Sequence, residues 1–246
     1  MDKLASLLLF IFSIFIASKF FRRIYNDFEP KASVIVPAYN EANNIKQCLD
    51  SIFNSSYPKN KIEVIVVDDG STDNTLQIVA KYRKVKVLSQ NHLGKVEALN
   101  LGTKASSNDF VVTIDADTTL DKDCMKELLK PFSDPSVGAT TGNNNVKNKN
   151  SYISAFQNVE YHFSNLIRNS FSNVFNNGIW FSGSLACYRK STLEKIGYFK
   201  KDTLAEDQDI ALEIKKAGFK TINAPTASGY TIVPDNVRDL YKQRSR

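Results

Sequence analysis

Two histidines, one tryptophan and three cysteines are all that 246 residues contain of those types, and each shortage removes a class of chemistry. His92 and His162 share no helical spacing, so neither a histidine-based metal site nor a Ser-His-Asp triad has enough material. Cys48, Cys124 and Cys187 are odd in number, far apart and outside any C-x-x-C pattern, which leaves no support for a disulfide framework or a zinc site. No Pro/Gly-rich run divides residues 31–246 into independent domains, and no internal repeat occurs. Any chemistry must rest on carboxylates, lysine and arginine.

With 42% hydrophobic and 24% charged residues, the composition is that of a globular core and not of a disordered chain. The net charge of +6 is dispersed along the chain rather than striped, so nucleic acid is not expected as a partner. The first thirty residues stand apart. From Leu4 to Phe21, LASLLLFIFSIFIASKFF, the only polar residues are three serines and Lys19. A helix of that length, about 27 Å at 1.5 Å per residue, is predicted to span a membrane. Arg22, Arg23 and Lys31 follow it, whereas only Lys3 precedes it. The positive-inside rule then puts the amino terminus outside and the remainder in the cytoplasm, anchored at the cell membrane. A cleavable signal peptide is the competing reading, opposed by the basic residues directly after the apolar run.

From Lys31 onward, runs rich in Val and Ile alternate with helical patterns. ASVIVPAY, IEVIVVDD, KVKVLSQ and FVVTIDAD read as strands. The first, second and fourth are nearly continuous, as strands buried on both faces should be. Glu41–Asn54, Thr72–Arg83 and Gly94–Ser106 have crossover-helix length. A further helix is expected after the fourth strand, capped by Asp121 and placing Leu120, Cys124, Met125, Leu128, Leu129 and Phe132 on one face. This alternation predicts an α/β fold with a mostly parallel sheet flanked by helices. The second half is less regular: an Asn-rich loop (Asn143, Asn144, Asn145, Asn148, Asn150), a long aromatic-bearing segment Ser151–Phe175, and a strand-like IWFSGSLACY.

In such a sheet the ligand crevice lies beyond the carboxyl ends of the strands. Asp68 and Asp69 end the second strand, followed by Gly70 for a tight turn. Asp115 and Asp117 end the fourth. Being two apart in an extended segment, they point to one side, which suits either a capped turn or a hard divalent ion such as Mg²⁺ or Mn²⁺. In AEDQDIALEIKKAG, Ile210, Ala211, Ile214 and Ala217 form the apolar stripe and Asp207 falls inside it. Asp207 is thus either a helix cap or a catalytic carboxylate. Lys95, after Gly94 at a helix start, is a surface lysine or a phosphate ligand. Tyr39 stacks a base or packs in the core. Trp180 and Phe181 line a sugar or are buried, and His92 reads as a loop residue and His162 as a helix surface residue.

These clusters, in this order, resemble a family-2 glycosyltransferase of the GT-A (Rossmann-like) fold. The pieces are VPAYNE, VVDDGSTDNT, GKVEALN, DAD, TGN (Thr141–Asn143), FSGS (Phe181–Ser184), AED and QRSR, spread over nearly all of Val34–Arg246. The inward Glu-Asp pair and following Q-x-x-R box are most similar to membrane polysaccharide synthases of the poly-N-acetylglucosamine, hyaluronan, chitin and cellulose type. The resemblance implies nucleotide-sugar contacts from Tyr39, Glu41, Asp68, Lys95 and Asp115, a metal on Asp117, and Asp207 as general base. It also implies that Glu206, Gln243, Arg244 and Arg246 serve the acceptor and the diphosphate. Transfer of a sugar, N-acetylglucosamine by overall likeness, from a UDP-sugar to a polysaccharide hydroxyl with inversion would follow. Ala205 stands where the family usually has Thr, and the Trp completing the box would be residue 247. Residues 1–30 are therefore expected as a membrane segment, and residues 31–246 as a catalytic domain interrupted inside that box. A lipid-phosphate (dolichyl or undecaprenyl) glycosyltransferase and a non-catalytic nucleotide-sugar-binding fragment are the alternatives.

Overall fold

The computed structural model describes residues 3–21, 24–201 and 205–245. The elements run α1 (Lys3–Phe20), β1 (Ala32–Ala38), α2 (Ile45–Phe53), β2 (Ile62–Asp68), α3 (Thr75–Val79), β3 (Val85–Ser89), α4 (Lys95–Ala105), β4 (Phe110–Ile114), β5 (Thr119–Leu120), α5 (Cys124–Leu129), β6 (Val137–Val146), α6 (Tyr152–Phe175), β7 (Leu185–Arg189), α7 (Lys190–Ile196), α8 (Glu206–Lys216), β8 (Lys220–Thr231) and α9 (Val237–Arg244). The strands form one sheet in the order β3-β2-β1-β4-β7-β6-β8-β5.

Side chains of β1 alternate between two cores, because successive Cβ atoms leave opposite faces of a strand. Val34 and Val36 pack with the α2 row Ile45, Cys48, Leu49 and Ile52 and with Leu128 and Leu129 of α5. Ile35 packs on the other face with Leu99 of α4 and with Ile210 and Ile214 of α8. A helix layer therefore covers each face. Gly102 lets α4 approach closely, since a Cβ there would lie 2.4 Å from Ile35 Cγ2.

β3, β2, β1 and β4 are parallel, as their apolar runs predict. The sheet as a whole is mixed: β7 lies antiparallel between β4 and β6, and β5 is antiparallel to β8. β7 is also shorter than its motif, starting at Leu185 after a loop in which Trp180 takes a left-handed φ of 46°. The helix expected from Asp121 begins at Cys124 after Asp123, while the Asp121 carboxylate accepts from the Tyr230 hydroxyl at 3.4 Å. The Asn-rich stretch is not simply a loop, for Asn143, Asn144 and Asn145 belong to β6. All three cysteines are buried and free, and burial pushes each thiol above its ordinary range.

The expected membrane span is not found. Among the described residues no helix is long and apolar enough to cross a membrane; α1 ends at Phe20 after 18 residues, short of the ~30 Å hydrocarbon core. Arg22 and Arg23, which carried the orientation, lie outside the described residues. α1 instead lies against α6, where Ser18 is buried with its hydroxyl 3.4 Å from that of Ser170.

α6 is built inside out. Ser154, Gln157, Asn165, Arg168, Ser170 and Ser172 are buried, whereas Tyr152, Phe156, Val159, Phe163 and Leu166, spaced four and three apart, are exposed. Ser151 caps this helix in a reciprocal box with Ser154. The carboxyl-terminal segment is no frayed tail: α9 is capped by the Asn236 side chain, which accepts from Asp239 N–H at 2.9 Å.

Candidate active site

The chain runs from β1 outward through β2 to β3 and then crosses back to place β4 on the other side of β1. Strand order reverses there, so the ends of β1, β2 and β4 open into a common crevice. Ala38 and Asp68 are register partners at that edge.

Asp68 is buried, its carboxylate accepting from Ser71 N–H at 3.2 and 3.3 Å, and as placed it holds its own turn. Its neighbour Asp69 ties down the loop before α4. It accepts from Leu93 N–H at 2.7 Å, from Gly94 N–H at 3.0 Å and from the Gln90 amide at 2.6 Å. Burial alone would raise the Asp69 carboxyl; these donors, with His92 beside it, hold it below the usual carboxylate range. Gly70, at a φ of 80°, makes the turn that follows them.

Tyr39 is 42% exposed at the end of β1, and its ring stacks on His92 with centroids 4.0 Å apart. His92 Nδ1 lies 3.1 Å from Asp69 Oδ2. His92 lies in a loop, as expected; its stack with Tyr39 joins two loops and has no local sequence signature. His162 is exposed on α6, as expected.

Lys95 opens α4 and turns its ammonium onto Asp115 Oδ1 at 2.7 Å, with Glu206 Oε1 at 3.9 Å. Desolvation there would lower the lysine, but Asp115 outweighs it and the ammonium is held above its ordinary value. Asp117 is the opposite case: burial and the Asp115 charge push its carboxyl up, against a 3.2 Å hydrogen bond from Thr118. Glu41 is raised as well, by burial and then by Asp117 and Asp115, although Asn44 donates to it at 2.9 Å. Acid thus accumulates at the strand ends faster than cation does.

Asp207 sits in the first turn of α8 but does not cap it, that place being taken by Ala205. Its carboxylate accepts from Gln208 N–H at 2.8 Å and from Gly183 N–H at 3.3 Å. The FSGS loop carrying Gly183 is fixed from both neighbouring strands. Thr113 donates to Gly183 O at 3.0 Å, Thr141 donates to Ser182 O at 2.8 Å, and the Asn144 amide donates to the hydroxyls of Ser182 and Ser184. Phe181 is core and packs on Tyr188; Trp180 is 55% exposed.

Asp207 and Trp180 line a polar pocket of about 300 Å³ that the crevice motifs did not foretell. Its far wall is the inward face of α6, with Tyr161, Asn165 and Arg168, and its rim includes Arg244 of α9. Arg244 is paired with Glu160 at 2.7 Å. Arg168 is 5% exposed, donates to Asn165 Oδ1 at 2.5 Å, and is pulled down to about 10 by burial. Among the described residues its Nε and the Asn144 Oδ1 have no hydrogen-bond partner. Gln243 is exposed on α9, and Arg246 lies outside the described residues. The readable signal for Arg168 is a positive charge on the polar face of α6, opposite an apolar row.

Residues 33–197 match the family described as glycosyl transferase family 2. Over 222 residues the chain is 32% identical to the poly-β-1,6-N-acetyl-D-glucosamine synthase of Staphylococcus aureus, an alignment covering 86% of this chain and 52% of that protein. The chain spans about half the length of the curated relatives it matches. In three dimensions it is similar to the mannosyltransferase PcManGT from Pyrobaculum calidifontis in complex with GDP-Man and Mn²⁺, with a TM-score of 0.75, 27% identity, and 98% and 71% of the two chains covered. It is also similar to S. aureus TarS residues 1–349 in complex with UDP, with a TM-score of 0.63, 27% identity, and 86% and 62% covered.

Asp69→Asn should loosen the loop that aims Lys95. Removing the charge from several converging donors is expected to cost about 1–3 kcal/mol in urea denaturation. Because the folded carboxyl lies below its unfolded value of ~3.9, the wild type's advantage should be full at neutral pH. It should shrink as pH falls below 4 through the folded value. An advantage independent of pH would show that the carboxylate is not what holds the loop.

Proposed function

Because this chain belongs to glycosyltransferase family 2, we propose that it moves a sugar from a UDP-sugar to a hydroxyl of a growing polysaccharide, with inversion at the anomeric carbon. The observation that carries this reading is the reach of Lys95 from Asp115 at the end of β4 to Glu206 beside Asp207. It joins a nucleotide-type crevice to a fixed carboxylate. The poly-N-acetylglucosamine synthase relative and the UDP complex of TarS support UDP-N-acetylglucosamine as donor. Residues 31–246 would then be one GT-A catalytic unit.

In this reading the exposed Tyr39 face, backed by His92, receives the base ring, and Asp68 and Glu41 shape the turns around it. Lys95 offers its ammonium to the diphosphate. Among the described residues no three His, Cys, Asp or Glu side chains gather as a metal site. Asp115 and Asp117 supply two oxygen donors, and the raised Asp117 carboxyl is what a nearby cation would relieve. They fit Mg²⁺ or Mn²⁺ completed by phosphate and water, and a cation bound there would neutralise charge on the departing diphosphate. Asp207, oriented by Gly183 and Gln208, takes the proton of the acceptor hydroxyl. The acceptor oxygen bonds to the anomeric carbon as the bond to phosphate oxygen breaks, and the electron pair leaves on UDP. One displacement turns an α-linked donor into a β-linked product.

We propose that this part of the protein sits on the cell membrane through the outward row of α6 and the exposed apolar residues of α1. Tyr152 is 96% exposed, and Phe156 and Phe163 lie on the same row, more apolar surface than a soluble face normally leaves open.

Two measurements check this reading. In calorimetric titrations with UDP-N-acetylglucosamine and Mn²⁺, Asp117→Ala should weaken binding at least tenfold, whereas Asp207→Asn should bind as wild type and lose transfer by a factor of ~10² or more. Wild-type affinity in Asp117→Ala would remove the donor site from this crevice. In flotation with phosphatidylglycerol-rich vesicles, the wild type should float and Phe156→Ser/Phe163→Ser should stay at the bottom; equal flotation would place the contact elsewhere.

A further inference from the structure

α4 carries more than Lys95. At positions i, i+3 and i+7 of one face, Glu97, Asn100 and Lys104 hold the segment that leaves α7. Lys201 Nζ lies 2.9 Å from Glu97 Oε1, and the Lys104 ammonium stands 5.3 Å over the Tyr198 ring. Both contacts are at the surface and contribute little. Between them the pairing is buried, Asn100 being 8% and Phe199 5% exposed. The Asn100 amide donates to Phe199 O at 2.9 Å, and its oxygen accepts from Phe199 N–H at 3.0 Å. Phe199 belongs to neither helix nor strand and follows two left-handed residues, Gly197 at a φ of 82° and Tyr198 at 67°. One side-chain amide thus serves both backbone groups of a buried residue outside any ladder, and fixes a strained turn.

A second amide does the same nearer the base. Gln208 of α8 accepts from Phe181 N–H at 3.1 Å and donates to Phe181 O. The two aromatic residues so held meet on one ring: Phe199 packs edge-on against Tyr188 with centroids 5.4 Å apart, and Phe181 lies 5.7 Å from it. Tyr188 is fully buried in β7. A continuous row of contacts therefore runs through Asn100, Phe199, Tyr188, Phe181 and Gln208, from the helix of Lys95 to the helix of Asp207. α4 itself is seated on the sheet by Ala98, Leu99 and Gly102, so its own place does not depend on this row.

We infer that Asn100 is a positioning residue for the transfer. By fixing Phe199 it holds, through Tyr188, Phe181 and Gln208, the Asp207 carboxylate in register with the Lys95 ammonium, without touching donor or acceptor. The inference rests on the transfer reading above and adds to it a residue that ties the donor side of the site to the base. A small displacement of the base costs rate and leaves donor affinity alone.

Calorimetric titration with UDP counts folded sites by its stoichiometry, and transfer from UDP-N-acetylglucosamine to an N-acetylglucosamine oligosaccharide is then measured per site. Asn100→Ala should keep UDP affinity within about twofold and lose transfer ~10-fold. In the Asp207→Asn background the same change should alter the residual rate by less than about twofold, because a base that is absent has no position to lose. Phe199→Leu, which keeps the backbone hydrogen bonds and removes the ring from Tyr188, should repeat this pattern if Asn100→Ala does not fold. Transfer at the wild-type rate in the folded variant would overturn the inference. An equal loss in both backgrounds would do so too, being what a merely weakened fold gives. Trp180, the only tryptophan of the chain, precedes Phe181 and reports on the row without turnover. Its quenching by acrylamide in the UDP complex should rise in Asn100→Ala, and unchanged quenching would overturn the inference. Should the wild type bind UDP and transfer nothing, the transfer reading falls and Trp180 quenching alone decides the positioning.

Discussion

The contact between Lys95 and Asp115, 2.7 Å long, is the interaction around which the crevice is organised. The strand ends of an open parallel sheet bring Glu41, Asp68, Asp115 and Asp117 to one edge, and α8 adds Glu206 and Asp207. A cluster of this sign cannot ionise fully without a partner. Lys95 partners Asp115 and reaches toward Glu206, while burial and the neighbouring carboxylates push Glu41 and Asp117 upward. In the proposed reading a cation, and through it a diphosphate, would offset this excess of acid. Asp69 stands behind this arrangement, since it fixes the loop from which α4 and Lys95 start.

A second constraint comes from α6. Helices of a globular protein usually turn their polar side to solvent, and this one does the reverse. Its buried face supplies polar groups for a pocket next to Asp207, and its apolar row stays exposed, the surface proposed to meet the membrane. The reversal lets one helix serve both purposes, because residues four and three apart share a face. Asp207 lies where the acidic strand-end crevice meets the polar pocket walled by α6 and rimmed by Arg244 of α9.

Much of the sheet was legible in sequence because its signals are local. The β-branched runs of β1, β2 and β4 declare strands buried on both faces, and the i, i+3, i+4, i+7 row of α2 declares its helix. The acidic residues at strand ends needed only the rule for where a parallel sheet binds ligands. What escaped was set by contacts between distant segments. Asn144 has poor strand propensity, yet it lies in β6 with its amide donating to Ser182 and Ser184. β7 lies antiparallel between β4 and β6, a placement that its own five residues do not announce. Tyr39 and His92 stack across two loops, and the Arg168 environment is assembled from β6, α6 and the FSGS loop. The apolar run at the amino terminus did foretell a helix, but not that α1 would lie along α6.

The most direct test of the proposed chemistry is the configuration of the product. In that proposal Asp207 is the single base, and a single base makes a single displacement. Proton NMR of the sugar transferred from UDP-α-N-acetylglucosamine to an oligosaccharide should show a β-linked anomeric centre from the first turnover. An α-linked product would contradict direct displacement with Asp207 as the base.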